Sequence, residues 1–129
     1  MVHIYPFKAV RPASGKAEEI ATVPYDVVSA EEAREIIGKK PLSFLRISRS
    51  DALVPDKDPY STEIYELSRK IFDEYRREGF FIQDETATLY VYRIHDGDRT
   101  YTGIACCADT REYESGEIRR HELTRYDKE

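Results

Sequence analysis

The stretch Leu89-Tyr90-Val91-Tyr92-Arg93-Ile94-His95-Asp96-Gly97-Asp98-Arg99-Thr100-Tyr101-Thr102-Gly103-Ile104-Ala105-Cys106-Cys107-Ala108 decides the fold class. Two runs rich in β-branched and aromatic residues flank His95-Asp96-Gly97-Asp98, where Asp and Gly supply turn chemistry, so the stretch reads as an antiparallel hairpin. Upstream, Asp58-Pro59 offers an N-cap followed by Pro at the first helical position. Tyr60, Ile64, Leu67, Ile71 and Tyr75 then recur at spacings of three and four, and Gly79 follows, which predicts a long helix with one apolar stripe. Further back, Ser29-Ala30-Glu31-Glu32 is a capping box that launches a shorter helix, with Gly38 as its predicted end.

The remaining segments are less regular. Val2 to Arg11 is β-prone but broken by Pro6, which suits an edge or first strand. Leu42 to Arg49 alternates, with Arg46 and Ser48 on one face and Leu45, Ile47 and Arg49 on the other, and predicts a strand. Phe80 to Ile82 is too short to classify, Asp109 to Gly116 reads as a short helix or turn, and Glu117 to Thr124 as a final strand or extended arm. The expected architecture is α+β, a mostly antiparallel sheet with two main helices, in a single domain over residues 1–129.

Composition narrows the function classes. A chain of 129 residues with 40% hydrophobic and 35% charged residues, 10 Tyr and 5 Phe, is a folded globular domain with a charged surface. The net charge of −5 and a pI near 5.3 argue against nucleic-acid binding, which draws its strength from Lys and Arg on phosphates. No apolar run approaches a membrane span, and no basic region leads into an apolar one as in a secretory leader. The two cysteines, Cys106 and Cys107, are adjacent and unsuited to stapling distant segments, so the expected location is the cytoplasm, with core packing their expected role.

Three groups of residues have chemistry to offer. The last stretch, from Ile118 to Glu129, packs His, Glu, Thr, Lys and three Arg into twelve positions. Such density at a terminus leads to the expectation that the chain is an N-terminal fragment of a longer protein. Within it, Thr124 and Arg125 are suited to phosphoryl oxygens, while His121 or Glu122 would move a proton or orient Mg²⁺. The alternative is an exposed charged arm. In a strand His121, Leu123 and Arg125 face one way and Glu122 and Thr124 the other, so the five converge only if the segment bends. No metal site is assigned, because the spacing lacks two His one helical turn apart.

Pro24-Tyr25-Asp26 offers Tyr25 as a surface for a flat ligand and Asp26 as a base or Mg²⁺ ligand; ordinary turn chemistry is the alternative. Arg46 and Arg49, with Ser48, form a candidate anion-binding face, against the alternative of solvated strand arginines. His121, Glu122 and Asp26 are thus the catalytic candidates, and Tyr25, Arg46, Arg49, Thr124 and Arg125 the ligand-binding ones. Asp96 and Asp98 read as turn residues, and Tyr90, Tyr92 and Tyr101 as cross-strand packing.

Six segments in order along the chain carry a resemblance: Pro6-Phe7-Lys8-Ala9-Val10-Arg11-Pro12, Pro24-Tyr25-Asp26-Val27-Val28-Ser29, Pro41-Leu42-Ser43-Phe44-Leu45, Asp58-Pro59-Tyr60, Leu89-Tyr90-Val91-Tyr92-Arg93 and His121-Glu122-Leu123-Thr124-Arg125. Together they resemble the N-terminal part of the bacterial and archaeal family of domain of unknown function 1015. Members are several times longer and carry an Asp-Gly-His-His-Arg stretch similar to one in ParB-like and free-serine-kinase proteins. This chain lacks it, and His95-Asp96-Gly97 is a coincidental echo.

The resemblance implies a nucleotide-using, phosphotransferase-like protein acting on a small hydroxylated metabolite, with ATP or ADP and Mg²⁺ as cofactors. Enzymatic activity, as a small-molecule kinase, is expected only within a longer chain, since phosphoryl transfer needs metal, phosphate clamps and a base together. The expected partners are a small-molecule phosphate ligand and the remainder of the chain itself. The alternative is a non-catalytic binding or assembly module that docks onto that remainder. Nucleic-acid binding by analogy with ParB proteins would need a basic stripe that the sequence lacks.

Overall fold

The computed structural model describes residues 1–119. In chain order the elements are strands β1 (Ile4–Tyr5) and β2 (Val10–Pro12), helices α1 (Ala17–Ile20), α2 (Ala30–Lys39), α3 (Leu45–Ser48) and α4 (Thr62–Arg77), strands β3 (Phe81–Gln83), β4 (Tyr90–Asp96), β5 (Arg99–Ala105) and β6 (Cys107–Ala108), and helix α5 (Thr110–Glu114). Short 3-10 turns cover Tyr25–Val27 and Ser50–Leu53. The class is α+β. Among the described residues all strand pairing is antiparallel, in three two-stranded ladders, and α2 and α4 are the two long helices. The described residues form two compact units, one built from residues 10–83 and one from residues 1–9 together with residues 84–119.

In the unit of residues 10–83, α2 begins as the capping box predicts. The Ser29 hydroxyl accepts the Glu32 N–H at 3.2 Å, and the Ser29 N–H donates to the Glu32 carboxylate at 2.7 Å. The helix does not stop at Gly38 but runs to Lys39. Its end is set by Pro41, which pushes the preceding residue out of the helical region, and Lys40 has φ −136° and ψ 79°. Ala33 and Ile37 are buried on the inner face of α2 with Leu45 and Ala52.

The longer helix starts later than Asp58-Pro59 suggests. Asp58 accepts the Tyr60 N–H at 2.9 Å in a turn, which leaves Tyr60 exposed, and Ser61 becomes the N-cap. Ile64, Ile71 and Tyr75 of the predicted stripe are buried, and Ile71 and Tyr75 join Ile20 and Phe81 in a second cluster. The C-terminus is a full Schellman motif: Phe80 N–H donates to the Tyr75 carbonyl at 2.9 Å and Gly79 N–H to that of Arg76 at 3.2 Å. Gly79 has φ +74°, and the rings of Phe80 and Tyr75 meet edge to face at 5.6 Å. The helix stop therefore delivers the chain into β3, which pairs with β2.

The strand expected over Leu42 to Arg49 is helix α3. Leu45 packs into the first cluster and Ile47 against the second. Residues two apart on a helix point about 200° apart, so a helical turn lying between two apolar clusters alternates in sequence as a strand would. Ser43 accepts the Leu45 N–H at 3.3 Å and Ser48 donates to the Phe44 carbonyl at 3.3 Å, supporting the turn at both ends.

In the other unit, β4 and β5 form the expected hairpin, with Tyr90 opposite Ala105 and Asp96 opposite Arg99. His95 and Asp96 belong to the strand, and Gly97-Asp98 alone makes the turn, with Gly97 at φ +56°. The Tyr90 hydroxyl accepts the Ala9 N–H at 3.0 Å and donates to Asp84 at 2.7 Å. β1 pairs with β6, placing Ile4 opposite Ala108 and Tyr5 opposite Cys107. Cys106 is half-buried and Cys107 exposed, so core packing is not what holds them. Asp109 caps α5 by accepting the Arg111 N–H at 2.9 Å, and its bond to the Arg111 side chain holds its carboxyl down at about 2. The His3 backbone N–H donates to Glu112 at 2.9 Å and its ring bonds the same carboxylate. That bond raises the His3 pKa above 6.5 and lowers that of Glu112 below 4.5.

Two glycines that look alike in sequence will respond with opposite signs. Gly79→Ala places a side chain at positive φ and should cost about 1–2 kcal/mol. Gly38→Ala, inside α2 with open space around the new methyl, should gain about 0.5–1 kcal/mol. Urea denaturation of both variants measures this, and equal signs would contradict the assigned helix ends. The His3–Glu112 contribution is fully present below His3's unfolded pKa of 6.5 and is lost as pH rises through the raised folded value. Glu112 loses its share as pH falls from 4.5 through its lowered folded value. An imidazole titration by NMR should give a His3 midpoint above 6.5 that returns to the ordinary value in Glu112→Gln.

Candidate functional site

Pro24 enters the Tyr25–Val27 turn in extended geometry, φ −55° and ψ 146°, and the Val27 N–H returns to the Pro24 carbonyl at 3.4 Å. So tight a turn leaves carbonyls pointing outward, and Arg49 collects two of them. Its guanidinium donates to the Val28 carbonyl at 2.5 Å and to the Tyr25 carbonyl at 3.2 Å. The same guanidinium forks onto Asp51, Nε to Oδ1 at 3.0 Å and Nη2 to Oδ2 at 2.9 Å. Bidentate geometry of this kind is specific to arginine. The side chains of Arg49 and Asp51 are 18% and 15% exposed, and the hydrogen bonds to Asp51 keep the Arg49 pKa above its usual range.

Arg46 is also held locally. It donates to the Pro41 carbonyl at 3.2 Å, and its guanidinium lies 5.9 Å from the centre of the Tyr75 ring. Both arginines leave a helical turn, not the strand face proposed for them, and both have neighbours of their own.

Beside the Pro24 turn lies a groove of about 540 Å³, lined by Pro24, Tyr25, Phe44, Ser48, Phe72 and Phe81 among others. Its lining is apolar and aromatic, with Thr22, Tyr25 and Ser48 as the residues that carry a side-chain hydroxyl and no charged residue. Phe81 anchors the aromatic wall, with its ring 6.1 Å from that of Phe44 and 5.7 Å from that of Phe72.

Of the sequence-derived candidates, Tyr25 lines the groove; Asp26 is its exposed neighbour on the same turn. Arg46 and Arg49 stand outside the lining, Arg49 carrying the turn and Arg46 covering Tyr75. His121, Glu122, Thr124 and Arg125 lie outside the described residues. Sequence reasoning did not identify Phe44, Phe72 and Phe81. Phe44 precedes α3 and is partly exposed, and Phe72 lies off the α4 stripe; an aromatic residue out of phase with its helix is the signal that was available. Among the described residues, no cluster of three or more His, Cys, Asp or Glu is placed to hold a metal ion, and no helix is long and apolar enough to cross a membrane.

The family model described as "Protein of unknown function (DUF1015)" matches residues 4–129, so the chain belongs to the DUF1015 family. No curated protein and no solved structure matches it.

If Arg49 carries the turn, Arg49→Ala should cost about 2–3 kcal/mol, the scale of lost hydrogen bonds to a charged group. Arg46→Ala should cost about 1 kcal/mol, as for a half-buried cation over a ring. Urea unfolding separates the two. A loss at Arg49 no larger than at Arg46 would remove its assigned role.

Proposed function

We propose that this DUF1015 chain is the ligand-binding module of a nucleotide- or phosphometabolite-using, phosphotransferase-like protein, with the groove beside Tyr25 taking the flat apolar part of the ligand. The observation that carries this reading is the groove: about 540 Å³, within the range of small-molecule pockets, and faced by aromatic rings. An aromatic wall suits a nucleobase, since ring stacking contributes about 1–3 kcal/mol per base. ATP or ADP with Mg²⁺ is the ligand of choice. Asp26, next to Tyr25 and exposed, is positioned by sequence to meet the metal. His121 and Glu122 would handle the proton, and Thr124 and Arg125 the phosphates. Arg46 and Arg49 serve this reading through shape rather than charge. Phosphoryl transfer requires the remainder of the protein, and the cytoplasm is its location in this reading.

A second reading draws on the same surface. No charged side chain lines the groove, and Arg49 is satisfied by Asp51 and two carbonyls. Those facts favour an assembly module whose groove takes an apolar segment from the remainder of its own protein.

Calorimetric titration of ATP, ADP and adenosine, with Mg²⁺, into the chain separates the readings. Binding is expected for all three, because the uncharged groove recognises the base, and Tyr25→Ala should weaken it about 5- to 100-fold. Absence of binding by any of the three would leave the assembly reading in place.

A further inference from the structure

We propose that Cys106 and Cys107 form a redox modification site, a vicinal dithiol that a small-molecule disulfide closes into an intramolecular disulfide. The sequence contains two cysteines, so this is the one intramolecular pairing open to it. Both are free thiols, Cys107 exposed and Cys106 half-buried. Neighbours within one regular strand point to opposite faces, which would hold the thiols apart. Here the strand is interrupted: β5 ends at Ala105 and β6 begins at Cys107, leaving Cys106 outside both. The alternation that would separate the sulfurs is therefore not imposed.

The covalent geometry then decides what kind of disulfide results. Cα atoms joined by a trans peptide are about 3.8 Å apart, below the roughly 4.4–6.8 Å of ordinary disulfides. Ring closure strains the intervening peptide, and strained, accessible disulfides are the readily reduced ones that act in regulation. In the exchange, the Cys107 thiolate attacks one sulfur of oxidised glutathione and releases one glutathione thiolate. The Cys106 thiolate then attacks the mixed disulfide at Cys107 and releases the second. Two protein thiols are oxidised, one glutathione disulfide is reduced to two thiols, and the two protons go to solvent or to the released thiolates.

The closure has a structural consequence. Cys107 is the ladder partner of Tyr5, and the β1–β6 ladder has two residue pairs. Twisting the Cys106–Cys107 peptide withdraws one of the two, so oxidation loosens β1.

The test treats the chain with oxidised glutathione, quenches with acid, and measures intact mass and the tryptic peptide of residues 100–111, which holds both cysteines. The expected product has lost about 2 Da, resists iodoacetamide, reverts with dithiothreitol, and exchanges amide hydrogen faster at Ile4 and Tyr5. Cys106→Ser should instead gain about 305 Da at Cys107 and stay there, because no resolving thiol remains. Stable glutathione adducts on the native chain, chain-to-chain dimers, or no reaction would each overturn the proposal. Unchanged exchange at Ile4 and Tyr5 in the oxidised chain would overturn its coupling to β1.

Discussion

The Arg49 guanidinium is the constraint on which the groove depends. It bridges the Ser50–Leu53 turn, through Asp51, to the carbonyls at both ends of the Tyr25–Val28 segment. Backbone carbonyls turned outward by a 3-10 turn need donors when water is partly excluded. A lysine would satisfy one of them; the planar fork of arginine reaches a carboxylate and the carbonyls at once. By fixing the turn it fixes where Tyr25 stands, and so one wall of the groove. Asp51 matters because a partly buried guanidinium without a counter-charge would carry the desolvation cost alone.

The same logic explains how the second wall is placed. Phe81 follows directly from the Schellman stop of α4, and Gly79 at positive φ is what turns the chain there. Tyr75 then packs against both Phe80 and Phe81, so a helix terminus specifies the position of an aromatic ring at the groove. Local stop chemistry and site geometry are in this way one feature of the fold.

Sequence made visible those elements whose cause is local. The capping box at Ser29–Glu32, the stop at Gly79 and the hairpin closed by Gly97-Asp98 each rest on a few adjacent residues, and each stands in the structure. The stretch from Leu42 to Arg49 misled because its alternation came from two separate apolar clusters, a tertiary cause that a pattern of eight residues does not encode. The helix end at Gly38 misled because Pro41 decided it instead. At the candidate site, the Pro24-Tyr25-Asp26 turn was legible as a turn, while its support was not: Arg49 lies 24 positions from Tyr25 and 21 from Val28. The groove likewise draws its lining from segments between Val10 and Phe81 that meet only on folding.

That distribution of charge bears on what the groove selects. An anion bound against Arg49 would have to compete with the Asp51 fork already in place, and displacing it would leave a carboxylate of low exposure without its partner. For the proposed ligand, the energetic balance would therefore place the anionic end beyond the groove and the apolar end within it. For the ligand proposed above, preference for a flat ring would follow from shape, since aromatic faces accept any ring of suitable size, and discrimination among rings would fall to the hydroxyls of Thr22, Tyr25 and Ser48. Ser48 donates to the Phe44 carbonyl, which leaves its oxygen lone pairs as one group able to meet a donor on the proposed ligand, such as an exocyclic amine. Removing that hydroxyl would cost most for a ring that carries such a donor and little for one that lacks it.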